Sequence, residues 1–225
     1  MNSPNAGPSW GVDSADPVNA ANWDTLLRLR NRAPDFWGRY IGGLYAVTAA
    51  EISFLHQKGC RVLVAYNGAT ASSVSGSQSA GQTEAATAIK AAKALHMPAG
   101  VFIYADIEAS WAPSVAWLDG WVTGIVASSY GPGFYCNPLS THAFGGTYDK
   151  AYKANKSAFA RTRLWSSEPE PYFGSECAKP PPEVFAPAYP TTNQSGTVIW
   201  QYVESCVDAP VDADLANDHG MKTMW

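Results

Sequence analysis

Charged residues are scarce in this 225-residue sequence, where they make up 15% of the total and give a formal net charge of -4. Lysine and arginine form no extended cluster, so the basic patch that nucleic-acid-binding proteins need is missing. Apolar runs stay shorter than the roughly 18 residues of a membrane span. Residues 1–10 lack the charged and apolar regions of a signal peptide. We therefore expect no nucleic-acid partner and no membrane span, with a signal removed beforehand as the open alternative.

Cysteine is also sparse, with four residues that permit three complete pairings. None of them shows C-x-x-C spacing, which argues against a structural zinc site. The sequence contains neither a glycine-rich phosphate loop nor a nucleophile elbow with a Ser/His/Asp order. We accordingly predict a protein that requires no metal or other cofactor, and we expect a monomer.

Hydrophobic residues, by contrast, make up 46% of the chain, with 9 tryptophans and 11 tyrosines, which is enough for a large core. Short apolar runs that indicate strands alternate with longer patterns that indicate helices. The predicted strands cover residues 10–15, 36–41, 61–66, 100–108, 134–136, 162–165, 197–203 and 211–215. The predicted helices cover residues 19–32, 48–59, 83–95, 114–129 and 148–159, and a proline-rich loop covers residues 167–195.

Repeated strand-helix units imply parallel strands joined by right-handed crossovers. Eight strands favour a single α/β barrel of the TIM type, modified by weakened helices in its second half, and a doubly wound sheet is the alternative. No break in composition divides the chain, so we predict one domain over residues 1–225 with its core at about residues 10–217. In such barrels functional residues gather at the C-terminal ends of the strands.

Asp106 and Glu108 stand two residues apart at the end of the fourth predicted strand. Side chains at i and i+2 share one face of a strand, so the two carboxyl groups should converge. At ~6 Å and an effective dielectric constant of about 20, their repulsion is on the order of 3 kcal/mol, or about two pKa units. One acid then keeps its proton towards neutral pH, as hydrolysis of a glycosidic bond requires. The alternatives are a divalent-cation site and a pair of solvated loop acids.

Three more acids lie on strands that a closed barrel makes neighbours. Asp13 is near the end of the first strand, and Asp212 and Asp214 are on the eighth, each with a parity opposite to that of the adjacent apolar residues. We expect them to ring the same mouth as the acids of the fourth strand. Helix capping by Asp13 and turn positions for the other two acids are the alternatives.

Aromatic residues at or just beyond the predicted strand ends can stack on sugar rings, although each of them is also a candidate core residue. These residues are Tyr66, Tyr104, Trp111, Tyr135, Trp165, Trp200 and Tyr202. We predict that they bind the substrate in a groove at the barrel mouth.

Several short segments follow one another along the chain. They are Gly11-Val-Asp13, Trp23-Asp24, Phe102-Ile-Tyr-Ala-Asp106-Ile-Glu108, Gly133-Phe-Tyr135, Trp200-Gln-Tyr202 and Val211-Asp212-Ala-Asp214-Leu215. In this order they resemble the glycoside hydrolase family 25 lysozymes. More closely still, the chain resembles the DUF1906 or glycoside-hydrolase-like domains of bacterial secreted and phage-related proteins. The D-x-E strand and the later W-Q-Y segment are the most specific part of the resemblance.

The resemblance implies a modified TIM-type barrel that cleaves the β-1,4 bond between N-acetylmuramic acid and N-acetylglucosamine in peptidoglycan. Glu108 would be the general acid, and Asp106 would stabilise positive charge on the sugar or orient its 2-acetamido group. Asp13 and Asp214 would complete the acidic floor, with Asp212 as the second candidate for the latter position. A non-catalytic carbohydrate-binding barrel and a metal-dependent phosphodiesterase are the alternative functions.

The strand placement also constrains the cysteines. Cys60 precedes the third strand at the bottom of the barrel and Cys136 ends the fifth at the top, about 17 Å apart along a strand. That exceeds the roughly 7 Å Cα limit of a disulfide, so these two should stay unpaired. Cys177 and Cys206 lie in loops at the top and are candidates for a disulfide. Such a bond suits secretion or export to the cell envelope, whereas an unpaired Cys60 fits an intracellular origin equally well.

Overall fold

The computed structural model describes residues 7–225, which contain eight strands closed into a barrel with helices between them. This confirms the predicted α/β barrel of the TIM type, while residues 1–6 of the predicted domain lie outside the described residues. The strands are β1 (Ser9–Asp13), β2 (Phe36–Ile41), β3 (Arg61–Tyr66), β4 (Phe102–Asp106), β5 (Gly131–Cys136), β6 (Arg163–Ser166), β7 (Thr197–Val203) and β8 (Asp212–Ala216).

The helices become sparse after β6, in agreement with the weakening predicted for the second half of the chain. They are α1 (Ala20–Arg30), α2 (Ala49–Gln57), α3 (Ala71–Val74), α4 (Gln78–Ala94), α5 (Val115–Val126), α6 (Ala143–Ala154), α7 (Lys156–Phe159) and α8 (Asp218–Met221). Within residues 7–225, none of them combines the length and the apolar character needed to cross a membrane.

The barrel is mixed rather than parallel throughout. β1 to β7 pair in sequence order as parallel neighbours, whereas β8 runs antiparallel to both β7 and β1. The expectation of parallel strands is therefore wrong for β8. The physical reason is the short connection after β7, because residues 204–211 contain no helix and a parallel crossover needs a dozen or more residues. As a result Asp212, at the start of β8, pairs with Asp13, at the end of β1.

Side chains of the strands alternate between the barrel interior and the face covered by helices. Phe36, Tyr104 and Trp165 are among the large side chains that fill the interior. The outer face belongs to the main hydrophobic core, to which α5 contributes Trp117 and Trp121. Interiors packed in this way are dense and relax little. The polar residues at the top of the barrel therefore stand on a solid base.

Glycine residues let helices α4 and α5 pack closely against each other. A Cβ atom at Gly81 would lie 2.2 Å from the carbonyl oxygen of Trp117, and one at Gly120 would lie 2.1 Å from that of Gln78. Only glycine permits such an approach.

α4 begins at Gln78, after the N-cap Ser77, and so starts five residues before the predicted helix. The serine and glycine of its first turns are the residues that typically indicate a loop.

The last residues of the chain fill a gap at the bottom of the barrel. β3 and β4 pair directly only near their upper ends. Lower down, Val62 exchanges two backbone hydrogen bonds with Trp225, and the N–H of Phe102 donates to the carbonyl oxygen of Thr223. The hydroxyl groups of Tyr104 and Thr223 are 2.9 Å apart. This segment thus supplies the backbone partners that the two strands do not give each other.

A disulfide between Cys177 and Cys206 ties the long loop after β6 to the loop between β7 and β8, with the two Cα atoms 5.4 Å apart. This confirms the pairing that the loop positions allowed. Cys60 and Cys136 are buried and unpaired, as their predicted separation requires. Asp208 strengthens the link, because its carboxylate accepts backbone N–H groups from Cys177 and from the next residue.

A buried ion pair fixes the chain that follows β1. Arg39 Nη2 lies 3.1 Å from Glu51 Oε1, and the arginine side chain is 1% exposed. Arg39 also donates to the carbonyl oxygens of Ser14 and of the following residue. Because Ser14 directly follows Asp13, this network holds the end of β1 in place.

Replacing Arg39 with methionine should lower the free energy of unfolding by roughly 3–5 kcal/mol, because it leaves the buried Glu51 carboxylate without its counter-charge and three carbonyl oxygens without this donor. The control is Arg32→Met, which removes the exposed ion pair with Asp35 and should cost less than about 1 kcal/mol. Urea unfolding measures both changes. Equal losses in the two variants would contradict this role of Arg39.

Candidate active site

A polar pocket of about 90 Å³ opens at the end of the barrel where β1 and β4 finish. It is lined by Asp13, Tyr40, Ala65, Asp106, Glu108, Tyr135, Trp165, Gln201, Glu204 and Asp212. Five of these described residues are acids, and none is lysine, arginine or histidine. The volume is well below the roughly 300–1,000 Å³ of sites that bury a small-molecule ligand. A larger ligand would therefore lie across the mouth with one substituent inside.

Asp106 and Glu108 face the same pocket, as their spacing predicts. Asp106 is the last residue of β4 and is half-buried, whereas Glu108 lies just beyond the strand and is exposed. Burial, and then the charge of Glu108, raise the pKa of Asp106 to about 7. Burial and the charge of Glu204 also raise the pKa of Glu108. Both carboxyl groups thus bind their protons more tightly than usual, and Glu108 is the one of the two that reaches solvent.

Asp13 and Asp214 form a buried carboxyl pair at the base of the pocket. Asp13 is 4% exposed and Asp214 is completely buried. Burial and the charge of its partner raise the pKa of Asp13, and burial raises that of Asp214. Two buried carboxylates in contact cannot both ionise at low cost, so the pair shares a proton. Trp165 Nε1 donates to Asp214 Oδ1 at 2.8 Å, while the buried Asp214 Oδ2 has no hydrogen-bond partner.

The two acids of β8 have different surroundings. Asp212 lines the pocket, whereas Asp214 lies beneath it. Asp212 Oδ1 accepts the N–H of Ser205 at 2.6 Å, and its Oδ2 accepts Gln201 Nε2 at 3.4 Å. Burial raises the pKa of Asp212 to about 6, against the opposite effect of the Ser205 N–H. At neutral pH Asp212 is therefore ionised and within reach of a ligand.

Two of the seven predicted aromatic residues, Tyr135 and Trp165, line the pocket. Their ring centroids are 4.9 Å apart in an edge-to-face arrangement. The Tyr135 hydroxyl donates to Gln201 Oε1 at 2.7 Å, and the Trp165 N–H donates to Asp214. Both side chains are thus fixed by their polar atoms as well as by packing.

Two of the other aromatic residues contradict the prediction because they lie outside the pocket. The Tyr66 hydroxyl donates to Glu84 on α4, so this side chain faces the helices. Tyr104 points into the barrel but lies near its bottom, where it meets Thr223. Tyr66 ends β3 but has the parity of the outer face, and β4 continues for two residues beyond Tyr104.

Trp200 and Tyr202 are buried outside the pocket, against expectation, and Trp111 is also absent from its lining. Trp200 Nε1 donates to the carbonyl oxygen of Pro169, and Tyr202 packs edge-on against Tyr172. Trp111 is partly buried against the main hydrophobic core. Both aromatic residues of β7 have the parity of the outer face, where their apolar area is better buried than in an acidic pocket.

Three polar lining residues, Tyr40, Gln201 and Glu204, are absent from the site predicted from the sequence, as is the apolar Ala65. Strand alternation gives a signal for the first two, since Tyr40 shares the parity of the interior residue Phe36 and Gln201 lies between two outward aromatic residues. Glu204 carries no such signal, because β7 has a register irregularity between residues 201 and 203.

The pocket acids are not spaced as a three-ligand metal site. Among the described residues, the one group of three potential ligands within 4.8 Å of one another is Cys177, Cys206 and Asp208. Its two sulfur atoms are joined in the disulfide and are not free to bind a metal. The alternative of a metal-dependent phosphodiesterase therefore finds no ligand set in the pocket.

The family described as the Rv2525c-like, glycoside hydrolase-like domain matches residues 28–208, which is more than half of the chain. The protein belongs to this family. The match includes β2 to β7 and so takes in Asp106 and Glu108, whereas Asp13 and Asp212 fall on either side of it. No curated protein matches this chain in sequence.

Solved structures share the fold of this family member. An uncharacterized protein of B. stearothermophilus is 28% identical with a TM-score of 0.87 over 96% of this chain and 100% of its own. The Tat-secreted protein Rv2525c of Mycobacterium tuberculosis, in complex with L-tartrate, is 15% identical with a TM-score of 0.60 over 96% and 98%. The lysozyme of Streptomyces coelicolor is 14% identical with a TM-score of 0.53 over 97% and 98%. The protein is thus glycoside-hydrolase-like and shares its barrel with a lysozyme.

The buried carboxyl pair should make the protein more stable as the pH falls from about 8 to about 5. The pKa of Asp214 is about 8 in the folded protein, compared with about 3.9 for an unfolded aspartate. The folded state therefore binds the proton more tightly, and this contribution is lost as the pH rises through the folded pKa. Urea unfolding midpoints across this range measure the effect.

Asp214→Asn should flatten this pH dependence and raise the urea midpoint at pH 8, because asparagine still offers an oxygen to Trp165 but carries no charge. Asp24→Asn is the matched control, since Asp24 is exposed on α1. If the urea midpoint of Asp214→Asn depends on pH as steeply as that of the unmodified protein, the raised pKa of Asp214 is not the cause of the pH dependence.

Proposed function

We propose that this protein hydrolyses bacterial peptidoglycan, cleaving the β-1,4 bond between N-acetylmuramic acid and N-acetylglucosamine. The observation that carries the proposal is the position of Glu108, exposed at the mouth with a raised pKa beside the half-buried Asp106. A protonated carboxyl group next to an acidic partner is the arrangement that glycosidic cleavage uses. Membership of a glycoside-hydrolase-like family and the fold shared with a lysozyme support this reaction.

Glu108 acts as the general acid. Burial and the nearby charge of Glu204 favour its protonated form, while its exposure lets it reach the substrate. Its proton passes to the glycosidic oxygen as the bond from that oxygen to the anomeric carbon breaks. A water molecule then supplies the new oxygen on the anomeric carbon, and its proton returns to a carboxylate of the site.

Asp106 and Asp212 interact with the sugar from the pocket wall. Asp212 is ionised above about pH 6, so its charge stabilises the positive charge that develops on the ring. Asp106, whose pKa is about 7, donates a hydrogen bond to a 2-acetamido oxygen when protonated and adds negative charge when ionised. Asp13 and Asp214 form the floor below them.

The size and charge of the pocket fit a polymer rather than a small ligand. About 90 Å³ accommodates one substituent while the glycan chain lies across the mouth. A lining with five acids and no lysine, arginine or histidine among its described residues favours a neutral substituent over a carboxylate. An acetamido group meets this requirement.

Export is part of the proposal. The disulfide between Cys177 and Cys206 persists in an oxidising compartment and is rarely kept in the cytosol. One protein with the same fold is described as Tat-secreted. Peptidoglycan, as the substrate, also lies outside the cytoplasm.

Glu108→Gln should abolish hydrolysis, with a loss in kcat of at least about 100-fold, because the amide cannot supply the proton. Release of reducing ends from purified peptidoglycan measures the reaction. The control is Glu183→Gln in the exposed part of the long loop, which should retain full activity.

Hydrolysis that survives in Glu108→Gln would refute this general acid. Binding of peptidoglycan by the unmodified protein without any release of reducing ends would identify a carbohydrate-binding barrel instead. Loss of activity on treatment with a chelator would favour the metal-dependent alternative.

A further inference from the structure

We propose that Gln201 is a positioning residue that fixes which oxygens of Asp13 and Asp212 accept hydrogen bonds, and that Tyr135 locks Gln201 in this orientation. The inference deepens the proposed hydrolysis and rests on it for its kinetic consequence. It concerns side chains that touch the pocket acids rather than the general acid itself.

The geometry places one neutral amide between two carboxyl groups. Gln201 is 2% exposed and lies on β7. Its Nε2 is 3.1 Å from Asp13 Oδ2 and 3.4 Å from Asp212 Oδ2. An amide nitrogen carries two hydrogens, so it can serve both acids at once. The amide thereby ties β7 to its neighbour β8 and to β1 beyond it without adding charge.

The amide has one favourable orientation. Rotating it by half a turn would place its carbonyl oxygen against the two carboxylate oxygens and bring three acceptors together. In the observed orientation Oε1 accepts the Tyr135 hydroxyl at 2.7 Å. That hydroxyl can donate only one proton, and the proton is used here. Tyr135 therefore stabilises the orientation, and its own oxygen can only accept from a ligand.

The locked amide determines where the shared proton of the buried pair lies. Asp13 Oδ2 is held as an acceptor by Gln201, and Asp214 Oδ1 is held as an acceptor by the Trp165 N–H. The remaining oxygens are Asp13 Oδ1 and Asp214 Oδ2, and a proton shared with Asp13 is the donor that the otherwise unpartnered Asp214 Oδ2 lacks. The proton is thus directed away from the pocket, towards the pair. Asp212, which receives both the Ser205 N–H and Gln201, is kept ionised.

Titratable groups face this network from several elements, and all of them enter its pH dependence. They are Asp13 on β1, Tyr40 on β2, Asp106 and Glu108 at the end of β4, Tyr135 on β5, Glu170 in the loop after β6, Glu204 after β7, and Asp212 and Asp214 on β8. Among these acidic and phenolic groups, Gln201 is the neutral side chain that donates hydrogen bonds to two of the acids.

Gln201→Glu tests the proposal, because it preserves shape but removes both donors and adds a like charge. The midpoint of the Asp212 titration should move to higher pH by roughly one unit or more. Carboxyl ¹³C NMR measures this titration, and the Asp212→Asn variant assigns the Asp212 signal. The acidic limb of the peptidoglycan hydrolysis profile should move by the same amount. Gln194→Glu, at an exposed position, introduces the same charge and should leave both unchanged.

Tyr135→Phe is the second variant and covers the case in which Gln201→Glu fails to fold. It removes the hydroxyl that locks the amide, so the Asp212 midpoint should rise by a smaller amount in the same direction. An Asp212 midpoint that stays unchanged in the variants that fold would overturn the proposal. A midpoint that moves in a protein without hydrolytic activity would support the positioning role and refute the proposed function, so the two failures are distinguishable.

Discussion

A carboxyl group that leaves water must keep a proton or accept hydrogen bonds, because an isolated buried charge is too costly to persist. The mouth of this barrel brings five acids together, and within residues 7–225 none of them forms an ion pair with lysine or arginine. Neutral donors compensate instead. They are the Trp165 N–H for Asp214, the Gln201 amide for Asp13 and Asp212, and the Ser205 N–H for Asp212. The positions of these donors determine which acids are protonated.

The direction of β8 makes this convergence possible. In a strand parallel to β1, Asp212 would begin the strand at the bottom of the barrel, far from the mouth. The antiparallel strand starts at the top, where Asp212 pairs with Asp13 and Asp214 lies one layer below, opposite Gly11. The short connection from β7 therefore positions the acids as well as closing the barrel. Arg39 then holds the chain after Asp13 from the outside, away from the pocket.

Much of the fold follows from local sequence patterns, whereas the details of the pocket depend on contacts between distant strands. The eight strands and the shared face of Asp106 and Glu108 could be predicted because alternation and strand ends are local properties. The direction of β8 could not be read from its own sequence, since it depends on the length of the preceding connection. The prediction of substrate-binding residues failed where aromatic residues were selected for their type and not for the face of the strand they occupy. Parity places Trp200 and Tyr202 outside and indicates Gln201, whose uncharged side chain resembles no catalytic group.

Trp165 links the packed interior to the acidic mouth. Its ring packs edge-on against Tyr104 below, at 6.3 Å between centroids, and against Tyr135 at the pocket. A Cβ atom at Gly38 would lie 3.2 Å from this ring and 2.5 Å from the Cβ of Asp13, so glycine leaves the space that both side chains occupy.

A dense interior of this kind has no room in which repelling carboxyl groups can move apart. Burial, and then repulsion between the acids, therefore raise their proton affinity rather than change the shape of the site, and the pKa of Asp106 reaches about 7 and that of Asp212 about 6. At Asp212 the Ser205 N–H opposes the effect of burial on the pKa, whereas at Asp106 burial and the charge of Glu108 act in the same direction. A rigid floor and unequal donors thus give neighbouring acids different protonation states at the same pH, which is the property that acid-assisted cleavage of a glycosidic bond requires.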